Sequence, residues 1–191
     1  MSRMCTQILI YPTTYWKNSV DTSFVPPGGT LDMIILGIDP GTQTTGYGVV
    51  ETGGRSLLHR AHGDIRMKRG QPMSDCLKQI YDQLSVIITE YAPDAVALED
   101  IFYGKNVKSL VKLAQARGVI ILAASHRDIP LYEYTPLEVK KATVGYGRAE
   151  KGQVQHMVRA ILSLQEIPPP DASDALAVAI CHANFSKEVP V

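Results

Sequence analysis

The chain has 191 residues, with 19 Lys+Arg against 19 Asp+Glu and three cysteines, a length suited to one domain with a sizeable core. A balanced charge does not by itself announce a nucleic-acid partner, so any such reading must come from where the charges stand. Cys5, Cys76 and Cys181 are widely spaced and form no CxxC pattern, which argues against a disulfide framework or zinc site and fits a reducing cytosol. No apolar run approaches the roughly 20 residues of a membrane span.

Residues 1–32 carry little periodicity, a Pro26-Pro27-Gly28-Gly29 turn cluster and the only tryptophan. They are expected to be a mobile extension outside the fold, with the domain over residues 33–186 and a short tail over 187–191. The apolar run Met33 to Ile38 reads as a buried strand that ends on Asp39 before a Pro40-Gly41 turn, and Gly46 to Val50 returns beside it as in a hairpin. An ionised Asp at the end of a core strand needs a partner, such as a metal ion. Equally, Asp commonly caps such a turn, and this segment alone supports both readings.

Ser56 to Lys68 alternates loosely and reads as a third strand. His59 and His62, three apart on it, are expected on opposite faces, so a shared metal is not expected. Met73, Leu77, Ile80, Leu84, Ile87 and Tyr91 form one apolar stripe of a helix over 73–91, begun by Ser74 and Asp75 and stopped by Pro93. Ala95 to Leu98 is a short buried strand ending on Glu99. A helix from Asn106 to Ser125 follows, then a strand over 129–134, and a helix that starts at Thr135-Pro136 and breaks at Gly145. A further amphipathic helix spans 149–164, with His156 half-buried on it. An Ala-rich helix begins at Asp171. The order predicts a mixed α/β fold with helices flanking one sheet.

Asp171 and Asp174 share one face at the start of a helix that is otherwise apolar. Asp171 alone is well explained as a helix-start residue. Taken with Asp39 and Glu99, the set favours a shared cation site, since clustered carboxylates raise one another's pKa unless a metal neutralises them. Oxygen ligands favour Mg²⁺ or Mn²⁺, and two such ions suit hydrolysis of a phosphodiester.

The blocks GIDPGTQTTGYGVV, LEDIFYGKN, KLAQARGV, TPLEVKKATVGYGRAEKGQVQHMV and DASDALAVAI resemble the crossover junction endodeoxyribonuclease RuvC family over residues 33–184. The resemblance implies an RNase H-like fold with a mixed five-stranded sheet flanked by helices. It implies a cytoplasmic, Mg²⁺-dependent homodimer, with Mn²⁺ able to substitute and two ions per site, that nicks opposing strands of four-way DNA junctions in recombination and repair. A branch-migration helicase complex is the implied partner. Asp39, Glu99, Asp171 and Asp174 become the catalytic metal ligands, and Lys140 and Lys151 become catalytic lysines beside the scissile phosphate. Asp100 departs from the family pattern, which often has a neutral residue there.

Phe102 and Tyr103 follow Glu99 directly. Phe102 is expected to wedge against bases at the junction, where stacking contributes roughly 1–3 kcal/mol per base, while Tyr103 is equally a core residue of the loop. Lys105, Asn106, Lys108, Arg117, Lys141 and Arg148 complete the expected DNA-facing group, within a basic middle of the chain that also holds Lys112. The Gly- and Ala-bearing helix 106–125 is the expected dimer contact. Two other readings compete. A sugar-kinase or chaperone-like ATPase opens with a similar strand, Asp and Gly-Thr turn but needs a second lobe, and a silent junction-binding module would not need all four acids.

Overall fold

The computed structural model describes residues 32–54, 56–100 and 106–186. The expectations for residues 1–31 and 187–191, and those for Phe102, Tyr103 and Lys105, lie outside the described residues. Strands β1 (Ile34–Asp39), β2 (Thr44–Gly53), β3 (Ser56–Arg66), β4 (Ala95–Glu99) and β5 (Leu131–Tyr134) form one sheet in the order β3-β2-β1-β4-β5. β1 runs antiparallel to β2 and parallel to β4, and β4 is parallel to β5. The helices are α1 (Met73–Tyr91), α2 (Val107–Ser125), α3 (Pro136–Val144), α4 (Lys151–Ile161) and α5 (Pro170–Ser186).

Strand alternation divides the apolar residues between two cores. Ile35, Val50 and Ala97 join α5, with α3 and α4 behind it. Leu36, Ile38, Val49, Val96 and Leu98 face the other way, onto α1 and α2. The same parity carries Asp39 (two past Gly37) and Glu99 (two past Ala97) onto the α5 side. Small residues let that helix lie directly on the sheet. A Cβ added at Gly37 would stand 2.2 Å from the carbonyl oxygen of Ala175, and one at Gly46 would stand 2.0 Å from that of Asp171.

Several local expectations change. α1 has Pro72 at its N-cap position, and Ser74 and Asp75 sit inside its first turn rather than capping it; an Asp there still complements the helix dipole. β5 begins at Leu131, because Ile129 gives its N–H back to the Ala124 carbonyl and Pro130 has none to give, so only the Pro130 carbonyl joins β4, accepting from Val96. α4 begins at Lys151 under a Glu150–Gln153 capping box and ends at Ile161, before Ser163 takes a left-handed backbone (φ 52°). His156 on that helix is exposed, not half-buried.

The largest correction is on β3. Its register with β2 shifts between Val49 and Val50, so Arg60 is left without an opposing residue. Such a bulge restores one face to residues three apart. His59 and His62 consequently point the same way, and their rings meet with Nε2 of His59 2.7 Å from Nδ1 of His62.

Candidate active site

The β1–β4 pairing sets Ile38 beside Leu98, so Asp39 and Glu99 end neighbouring parallel strands side by side. The two carboxyls are hydrogen-bonded to each other, which requires one of them to hold a proton. Asp39 holds it: burial first, then the negative charges of Glu99, Asp174 and Asp171, push its carboxyl up to about 8. Burial also raises Glu99, while the hydrogen bond from Asp39 and the charges of Lys151 and Lys140 pull the other way.

α5 delivers the other two acids. Asp39 pairs across the hairpin with Gly46, and the backbone of Asp171 rests on that glycine. The Cβ-free strand therefore brings the first turn of α5 down to the level of Asp39. Asp174, one turn further, pairs with Lys151 at 2.6 Å. Burial raises the Asp174 carboxyl, against the pull of Lys151, whose own ammonium is raised by the hydrogen bond with Asp174. Lys140, on α3, is half-buried and near enough to lower both Glu99 and Asp174. A capping box at Thr135 and Glu138 fixes the start of α3 and with it the position of Lys140.

The donor chemistry suits a hard divalent cation. Asp39, Glu99, Asp171 and Asp174 act on one another at one edge of the sheet, and an ion of charge 2+ would offset the burial and mutual repulsion that raise Asp39. Among the described residues, no three His, Cys, Asp or Glu side chains stand ready as a metal cage. Asp39 is turned to Glu99 and Asp174 to Lys151, so taking up an ion means exchanging these two pairings for metal–oxygen bonds.

Arg117 departs from the expected DNA-facing group. Its side chain is 11% exposed; one guanidinium nitrogen donates to the backbone carbonyl of Glu99 at 2.7 Å, and the other bridges Glu133 at 2.5 Å and Asp100 at 3.5 Å. The guanidinium thus clamps the ends of β4 and β5 together behind Glu99. Basic and apolar residues along a helix do not distinguish an inward arginine from an outward one, so this role was not legible in the sequence. Asn106 is the N-cap of α2 and accepts from the backbone N–H of Ser109 at 3.3 Å. Lys108, Lys141 and Arg148 are exposed, the first on the opening turn of α2 and the other two on α3 and the turn after it.

The family model described as crossover junction endodeoxyribonuclease RuvC matches residues 35–182. The RuvC of Syntrophotalea carbinolica is 57% identical over 152 residues, spanning 80% of this chain and 94% of that protein. A structure of Thermus thermophilus RuvC in complex with Holliday junction substrate superimposes with a TM-score of 0.77 at 33% identity, covering 81% of this chain and 95% of that one. The yeast mitochondrial Holliday junction resolvase Ydc2, at 13% identity and a TM-score of 0.58 over 81% and 80% of the two chains, shares the fold.

Proposed function

The chain belongs to the crossover junction endodeoxyribonuclease RuvC family, and from that premise we propose that Asp39, Glu99, Asp171 and Asp174 are its cutting centre. It is an RNase H-like endonuclease that resolves Holliday junctions. The observation that carries the site assignment is the meeting of Asp39 and Glu99 at adjacent strand ends beneath the acid-bearing first turn of α5.

The four carboxylates would hold Mg²⁺, or Mn²⁺ in its place, as two ions. Bound there, the metal supplies charge neutralisation and a nucleophilic water at neutral pH. Lys151 holds Asp174 in place before the ions arrive. With Asp174 engaged by an ion, the Lys151 ammonium would be released to face the phosphate. Lys140 adds positive charge on the same side, where negative charge grows as the phosphodiester is cut. Lys108, Lys141, Arg148 and Lys105 bind the flanking backbone, Asn106 sets the start of the helix beside them, and Phe102 wedges the junction open with Tyr103 beside it.

Two opposing strands need two such centres, which a two-fold dimer provides. α2 supports this with a second apolar face. Val107, Val111 and Leu122 are 69%, 52% and 47% exposed and, with exposed Ala114 and Gly118, repeat every three or four residues on the side away from buried Ala116, Ile120 and Ala123. The fold itself begins at residue 33 and closes at 186, the enzyme works in the cytoplasm, and a branch-migration helicase complex presents the junction. Among the described residues no helix is long and apolar enough to cross a membrane.

The test is the cutting of a synthetic four-way junction. With Mg²⁺, paired nicks at symmetry-related positions are expected from the wild type. Asp39→Asn and Asp174→Asn should bind the junction with near-normal affinity and leave it uncut. Normal cutting by either variant overturns the assignment.

A further inference from the structure

We propose that His59 and His62 form a second metal site on the edge strand, a two-imidazole chelate for a first-row transition cation of the Ni²⁺, Cu²⁺ or Zn²⁺ class. The rings lie 4.9 Å apart by centroid, with the facing nitrogens at 2.7 Å. Two cis nitrogens bound about 2.0–2.1 Å from an ion stand about 2.9 Å apart in square or octahedral geometry and about 3.3 Å apart in tetrahedral geometry. The separation is already close to that of a cis pair, but the rings meet almost end to end, so each must swing until its lone pair leaves the line between them and turns to a shared ion; the first two metals need the least change in nitrogen separation.

The protonation state suits binding. The neutral imidazole is the form that ligates, and two ring nitrogens in hydrogen-bond contact hold a single proton between them. Each neutral ring carries one proton. The ring whose N–H now bridges the pair takes its other tautomer, so both facing lone pairs become available and no proton is released.

The surroundings supply room and charge. His62 lines a cavity of about 350 Å³ with the 164–169 loop, including Gln165 and Glu166. By register His59, His62 and Asp64 lie opposite Val50, Gly48 and Gly46, on the side of the sheet that α5 covers. The Asp64 side chain is 7% exposed; one oxygen pairs with Arg66 at 2.8 Å, and the other, Oδ1, is buried without a hydrogen-bond partner among the described residues. A cation on the imidazoles would give that oxygen a favourable charge to face. The two rings are the protein ligands, and water fills the remaining positions, since no third His, Cys, Asp or Glu is already in range among the described residues. The oxygen-only centre at Asp39 favours hard ions; this one selects nitrogen-seeking ions instead.

The test titrates the full chain with Ni²⁺ by calorimetry while excess Mg²⁺ occupies the carboxylates, and records the electron paramagnetic resonance spectrum of one equivalent of Cu²⁺. One Ni²⁺ per chain and a Cu²⁺ spectrum with two coupled nitrogens are expected. His59→Gln and His62→Gln should each weaken Ni²⁺ by about tenfold or more, given that even outer-shell losses cost about 10–100-fold. His126→Gln, which alters an exposed histidine just after α2, should change nothing. Unaltered binding in the first two variants, an equal loss in the third, or a wild-type Cu²⁺ spectrum without two nitrogens overturns the site. The Cu²⁺ readout needs no variant, so it decides even if one fails to fold.

Discussion

At the scale of single residues, the centre depends on how firmly Glu99 is held. Arg117 spends its guanidinium on the Glu99 carbonyl, Glu133 and Asp100, and a planar fork of this kind is not replaced by an ammonium. Arg117→Lys is therefore expected to slow cutting by about tenfold, the equivalent of about 1.4 kcal/mol in the barrier, with little change in junction affinity. The salt dependence of binding separates this role from a DNA contact. A lost phosphate contact lowers the slope of log K against log salt by about 0.9, whereas a positioning residue leaves the slope unchanged. A reduced slope in Arg117→Lys would return this residue to the DNA-facing group.

At the scale of elements, α5 is the piece that makes the centre, because Gly37 and Gly46 let its backbone lie directly on β1 and β2. Gly46→Ala drives a methyl against the Asp171 carbonyl. Overpacking of this kind destabilises by about 1–3 kcal/mol, read as a lowered denaturation midpoint, and the displaced Asp171 should reduce Mg²⁺-dependent cutting further than the stability loss explains. The far end of α5 predicts acid sensitivity. Buried His182 shares a hydrogen bond of 2.7 Å between its Nδ1 and the Tyr134 hydroxyl, and burial lowers its imidazole from 6.5 to about 4. Between those values the unfolded chain binds a proton that the folded one refuses, so stability is full above pH 6.5 and falls as pH drops towards 4. The fall in Tm from pH 7 to pH 5 should be smaller in His182→Gln than in the wild type; equal falls would assign the acid sensitivity elsewhere. Much of this was legible in the sequence. The bounds of α1 follow from its apolar stripe, those of α3 from Thr135-Pro136 and Gly145, and Asp39 and Glu99 are marked by their place at the ends of apolar runs. The His59–His62 meeting was hidden because a period of two assumes an unbroken ladder, and the bulge at Arg60 is a property of the pairing rather than of β3 alone. The inward turn of Arg117 was hidden for a related reason: its partners come from β4 and β5, distant in sequence.

At the scale of the whole molecule, one chain supplies one acid centre, and paired nicking depends on joining two. α2 is apolar on both sides, which a helix packed on one face only does not require. Its inward side, Ala116, Ile120 and Ala123, is spent on the sheet core, while Val107, Val111 and Leu122 are left to solvent. Two copies meeting along this stripe would carry their acid centres in a fixed two-fold relation. Val111→Glu places a charge in the middle of such a contact, where burying it unpaired is unfavourable, yet leaves the inward face untouched. The variant should elute as a monomer where the wild type is a dimer, keep its thermal midpoint at high dilution, and nick single strands of a four-way junction without coordinating the second cut. A variant that stays dimeric and still cuts both strands in one encounter would move the dimer contact off α2, while leaving the acid centre as assigned.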